Sequence, residues 1–141
     1  METKKSYLKQ IKGLTFAAKG DSNHWITMDG PEHVGGNNAG ARPKELILMA
    51  LAGCTASDVV SILQKKRVNL TDFEINITAQ QTDNHPKVFS ELDLEYVFYG
   101  KDIKTKDIER AIELSTETYC GVSAMLSKAM KINHSYRIVE Q

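Results

Sequence analysis

An α+β fold is predicted by how hydrophobic periodicity is grouped along the 141 residues. Segments with strand-like apolar alternation occur in clusters, one near the amino terminus and one mid-chain, and do not alternate one-for-one with helices. A long helical segment separates the clusters, and a second helical region precedes a final strand-like run. The length fits a single domain covering residues 1–141. Gly35-Gly36-Asn37-Asn38-Ala39-Gly40 is therefore read as a loop within that domain and not as a linker, since the segment before it is too short to bury a core alone.

The first cluster comprises Leu8–Phe16, which is apolar with partial alternation, and Trp25-Ile26-Thr27-Met28, which is rich in strand formers and followed by the Asp29-Gly30 turn signal. After the glycine loop, Pro43 suits a first helical turn, where its missing N–H costs nothing. Glu45 suits the positive end of the helix dipole. The helix is expected to run to about Lys66, with Lys65, Lys66 and Arg67 complementing its negative end as a solvated cationic patch.

From Leu46 to Cys54 this helix has no polar side chain on any side, so it must be covered all round. A partner subunit would make that easier, and an obligate homodimer is expected.

Phe73, Ile75, Ile77 and Ala79 fall on one face of a strand, and Leu92, Leu94, Tyr96 and Phe98 on one face of the next. Thr82–Pro86 supplies the turn between them. Helical spacing returns at Ile108, Ala111, Ile112, Ser115 and Tyr119, with Thr105 as the expected N-cap. Cys120-Gly121 interrupts it, and Val122, Met125, Leu126, Ala129 and Met130 form the apolar side of a further helix. A last strand is expected over about Asn133–Val139.

Composition excludes several classes. Eighteen Lys+Arg balance eighteen Asp+Glu, so the basic excess of a general nucleic-acid binder is missing. The longest run without a polar side chain is nine residues, against about 18–20 needed to cross a bilayer, so no membrane span is expected. No signal-peptide core follows Met1, and two cysteines make no disulfide framework, which together suggest a cytoplasmic protein with reduced thiols. The four histidines lie far apart along the chain without ligand spacing, so no metal centre is expected. No phosphate-binding or dinucleotide fingerprint is present, and no bound cofactor is expected.

The two cysteines are the side chains best suited to chemistry. Cys54 follows Gly53, whose missing side chain allows another segment or a ligand to approach the helix closely. Cys120 sits where a helix begins, so unpaired N–H groups and the dipole can stabilise a thiolate, the nucleophilic form of the thiol. Pattern alone also allows each to be a small buried hydrophobe.

The run from Gly40 to Thr55, with Arg42-Pro43-Lys44-Glu45 and Ala52-Gly53-Cys54, strongly resembles the first cysteine helix of the OsmC/Ohr family. That family comprises osmotically inducible and organic hydroperoxide resistance proteins. Tyr119-Cys120-Gly121-Val122-Ser123-Ala124 resembles its second cysteine motif, and the order of elements matches over nearly the whole chain. The resemblance implies antiparallel sheets wrapped around central helices in an intertwined homodimer, with active sites at the subunit interface. It implies a thiol-dependent peroxidase in oxidative-stress defence, with Cys54 attacking an organic hydroperoxide and Cys120 resolving the product. An external dithiol would then restore both thiols. Met49, Leu51, Val60 and Met125 are candidates to line an apolar substrate pocket.

The family's best-characterised members carry a glutamate ten residues before the first cysteine and an arginine in the amino-terminal strands. That pair orients and activates the thiolate; here Lys44 occupies the former position, so Glu45, one place later, and Arg42, the nearest arginine, are the candidates for that catalytic role. Those departures keep two further readings open: a non-enzymatic dimer binding a small apolar ligand on the same scaffold, and an adaptor dimer with inert thiols.

Overall fold

In the computed structural model, which describes Met1–Gln141, the chain divides into two compact units, Met1–Leu48 and Met49–Gln141. The architecture is α+β, with two three-stranded sheets and three helices.

The first unit holds strands β1 (Ser6–Lys12), β2 (Thr15–Gly20) and β3 (Trp25–Met28) in an antiparallel meander. The apolar stretch over Leu8–Phe16 is thus a hairpin, turning at Gly13, whose φ of +59° is a conformation glycine adopts without strain. The register Leu8↔Ala18↔Ile26 sets an apolar row on one face of this sheet, yet Leu8 and Ile26 are both exposed.

Asp29, directly after β3, is only 1% exposed and organises the glycine loop. Its carboxylate accepts hydrogen bonds from the Thr15 hydroxyl at 2.6 Å and from the backbone N–H groups of Gly30, Asn37 and Ala39. Gly36 and Gly40 permit the tight path of this loop. A Cβ on Gly36 would lie 2.1 Å from the Gly30 carbonyl oxygen, and one on Gly40 would lie 2.5 Å from that of Thr27.

The Thr15 hydrogen bond, opposed by burial and aided by the three N–H groups, holds the Asp29 carboxyl below its ordinary pKa. A carboxylate depressed in the folded state contributes stability that is complete above the unfolded value of about 3.9 and is lost as pH falls through the folded one. Asp29→Asn is therefore expected to lower the melting temperature at neutral pH and to flatten its fall below about pH 4. Melting curves across the acid range check this, and an unchanged acid slope would remove Asp29 from that role.

Helix α1 (Pro43–Lys65) begins in the first unit and continues into the second. Its buried residues Leu51, Thr55, Val59 and Leu63 recur every fourth position and form one stripe. The all-round cover anticipated for its apolar start is therefore not supplied by this chain alone: Ile47 is exposed and Met49 is 54% exposed. Beside the stripe Ala50, Gly53, Ser57 and Ser61 are exposed as well, a row of small side chains.

Length and composition make α1 apolar enough to cross a bilayer, although only 22% of its most apolar 18-residue window is buried. Counting unbroken apolar residues missed this, because Thr55 and Ser57 interrupt the run while hardly lowering its average hydropathy. The core helix of a soluble protein has the same length and composition. Asp58 near the middle of α1 would carry a large cost in hydrocarbon.

In the second unit β4 (Leu70–Gln81) and β5 (Phe89–Gly100) pair antiparallel. The two apolar sets read from the sequence are direct cross-strand partners: Phe73↔Phe98, Ile75↔Tyr96, Ile77↔Leu94 and Ala79↔Leu92. Phe73 and Phe98 stack at 5.1 Å, and Leu92, Leu94, Tyr96 and Phe98 are buried.

One pairing departs from the antiparallel expectation. Strand β6 (Lys131–Glu140) runs parallel to β5, from Glu91↔Lys131 to Gly100↔Glu140. The excursion through helices α2 (Thr105–Leu114) and α3 (Gly121–Leu126) is the crossover that lets the chain re-enter in the same direction. Thr105 proves to be the first helical residue and not the cap, since Lys104 holds the extended cap position without a side-chain bond. Helix α3 stops at Leu126, before Ala129 and Met130.

Candidate functional site

The second unit brings together two sulfurs that are 66 positions apart in sequence (120 − 54). Cys54 projects from the line of α1 next to the buried stripe and is half-buried, while Cys120 is 3% exposed. Asp58, one turn beyond Cys54, lies on the same helical line. The ligand atoms of Cys54, Asp58 and Cys120 all lie within 4.8 Å of one another, and both thiols are free.

Cys120 occupies the junction that the sequence indicates. A π-helical turn, Ser115–Tyr119, follows α2, and Cys120 then adopts an extended conformation as the cap of α3. Its N–H donates to the Ser115 carbonyl at 2.8 Å, and its Sγ accepts the Ser123 N–H at 3.3 Å. The Thr55 hydroxyl, on the buried stripe of α1, lies 3.5 Å from the same sulfur.

Burial pushes the Cys120 thiol above its ordinary pKa. The contacts from Thr55 and the Ser123 N–H pull it back, and the neighbouring Cys54 pushes it up further. Burial thus favours the protonated form of Cys120, which sits beside a more accessible sulfur.

Two groups extend the site. The Ser115 hydroxyl donates to Asp58 Oδ2 at 3.0 Å, fixing that carboxylate. Asp58 also lines a cleft of about 420 Å³ with Ser61, Ile62, Lys65, Lys66, Leu114 and Tyr119. Burial raises the Tyr96 pKa, with a smaller push from Cys120 in the same direction. The Tyr96 hydroxyl is 2.9 Å from His134 Nδ1, and burial lowers the pKa of that imidazole.

The other sequence candidates have different places. Arg42 and Glu45 set the entry to α1: the Arg42 N–H donates to Glu45 Oε2 at 2.9 Å, one half of a capping box. The Arg42 guanidinium donates to the Gly40 carbonyl and to Asn38 Oδ1. Leu51 is fully buried in the core stripe and so is not open to a pocket. Val60 lines a cavity of about 340 Å³ with Leu63, Gln64, Val68 and Phe73, while Met49 and Met125 are exposed. Asp58 was not singled out from the sequence. Its only signal there is the four-residue spacing from Cys54, which is ordinary for a helix.

A partly open thiol on α1 beside a buried thiol that caps α3 defines an α+β protein with a paired-cysteine site. The family model for OsmC-like protein matches residues 35–135, and the chain belongs to that family. The protein YhfA of Escherichia coli K12 is 42% identical over 132 residues, covering 94% of this chain and 96% of that one. A hypothetical protein from Aquifex aeolicus VF5 superposes with a TM-score of 0.87 at 33% identity, covering 100% of this chain and 99% of that one. An organic hydroperoxide resistance protein OsmC from Legionella pneumophila shares the fold, with a TM-score of 0.69 at 14% identity and 96% and 97% coverage.

Proposed function

We propose that the protein is a cytoplasmic, thiol-dependent reductase of organic hydroperoxides. The observation that carries this reading is the placement of a half-buried Cys54 against a buried Cys120, with both thiols free. The Cys54 thiolate attacks the distal peroxide oxygen, the O–O bond breaks, and the alkoxide leaves as the alcohol after taking a proton. Cys54 becomes a sulfenic acid. The Cys120 thiol then displaces its hydroxyl, which leaves as water with the Cys120 proton, and a disulfide remains. An external dithiol attacks this disulfide, forms a mixed disulfide and leaves as its own oxidised disulfide, its two protons and two electrons returning both cysteines to thiols.

The division of labour follows from exposure. A peroxide must reach the first sulfur, whereas the resolving sulfur needs only to meet its neighbour. Arg42 and Glu45 are assigned to fixing the start of the cysteine helix. Two copies of the chain form the working unit, because the apolar face of α1 and the apolar row Leu8–Ala18–Ile26 both need cover.

Anaerobically reduced protein is expected to consume an alkyl hydroperoxide well above the rate of free cysteine at equal thiol concentration. A rate equal to free cysteine would refute the enzyme reading and leave the small-ligand-binding one.

A further inference from the structure

The paired thiols account for two of three converging groups, and Asp58 has no part in the peroxide cycle above. Its carboxylate lies within 4.8 Å of both sulfurs, on the helical turn after Cys54. Hydrogen bonding from Ser115 holds it there. We propose that in the reduced protein Cys54, Asp58 and Cys120 form a three-ligand site for a thiophilic divalent cation such as Zn2+, with the fourth coordination position open.

The dimensions suit such an ion. Zinc takes thiolate sulfur at about 2.3 Å and carboxylate oxygen at about 2.0–2.2 Å, so the edges of a tetrahedral site are about 3.6–3.8 Å. Atoms already within 4.8 Å of one another need to close by only about 1 Å to reach those edges. Two sulfurs and one oxygen also fit zinc better than the harder cations, which prefer all-oxygen sites.

The surroundings resemble the outer shell that tunes a metal site. The Ser123 N–H and the Thr55 hydroxyl approach Cys120 Sγ, and the Ser115 hydroxyl orients Asp58. The cleft lined by Asp58, Ser61 and Tyr119 gives an ion and a fourth ligand a route to the carboxylate side. Three protein ligands with one open position is the arrangement of a zinc site that binds water or substrate, and not of a closed structural one. Because a disulfide uses both sulfurs, metal binding and the oxidised state exclude each other. The site does not depend on peroxide chemistry, so either reading can fail alone.

The test is a Zn2+ titration of the full, reduced, metal-free chain against a chromophoric chelator, alongside Co2+ spectroscopy. The expected result is one Zn2+ per chain and a Co2+ spectrum with thiolate charge-transfer bands and tetrahedral d–d bands. Asp58→Asn, which keeps the shape of the side chain, is expected to weaken binding at least about tenfold. Ser115→Ala, which leaves all three ligands but loosens the carboxylate, is expected to weaken it by about 10–100-fold. Lack of stoichiometric binding, a Co2+ spectrum without thiolate bands, or wild-type affinity in both variants would overturn the proposal. Hydroperoxide consumption is measured separately on the metal-free protein.

Discussion

Replacing Cys54 with serine is expected to abolish hydroperoxide consumption, bringing the rate down to that of buffer. A serine hydroxyl is essentially never ionised near neutral pH, and no other thiol is positioned to take over the first attack. Cys120 is 3% exposed, and burial holds its thiol above the ordinary pKa, so it is a poor substitute.

The companion variant, Cys120→Ser, should behave differently. It should still react once with hydroperoxide and then stop, with one oxygen added to Cys54 that mass spectrometry detects. In the wild type, mild peroxide followed by peptide mapping should instead give a Cys54–Cys120 crosslink. Turnover surviving in Cys54→Ser would overturn the order of roles, and a wild type that oxidises without the crosslink would remove Cys120 as the resolving thiol.

The second large effect concerns assembly. The protein is expected to sediment as twice the mass of one chain, and Gly53→Leu to shift it to single chains. Gly53 is exposed, and a Cβ placed there meets nothing within 4 Å in one chain. For an isolated chain the substitution would fill open space and relieve a helix-interior glycine, a gain of up to about 1 kcal/mol. Against a second α1 packed over Ala50, Gly53 and Ser57, the leucine would force the helices apart. A native single chain would contradict the proposed dimer, and a Gly53→Leu protein that stays paired and melts higher would remove this row of α1 from its interface.

Much of the second unit was legible because β-strand alternation is local. The residues assigned to the core faces of β4 and β5 are each other's partners across the sheet, and Cys120 caps a helix as its glycine neighbour suggested. Other features were not legible because their cause is remote. Asp29 reads as half of an Asp-Gly turn. Only the return of Asn37 and Ala39 makes it a buried hub. Leu51 could not be told from a pocket residue until one stripe of α1 was seen to be buried, and Asp58 was an ordinary helical acid until Cys120 arrived beside it.

The order of residues by itself determined the broad placement of strands and helices, which faces of β4 and β5 are apolar, and where the two thiols stand along the chain. Those properties depend on neighbours within a few positions, where backbone geometry fixes the spacing. Tertiary structure alone decided that the two sulfurs meet, that a carboxylate joins them, and that β6 runs parallel to β5. These depend on where a crossover of some thirty residues brings the chain back, and that is set by packing of the whole unit rather than by any local pattern.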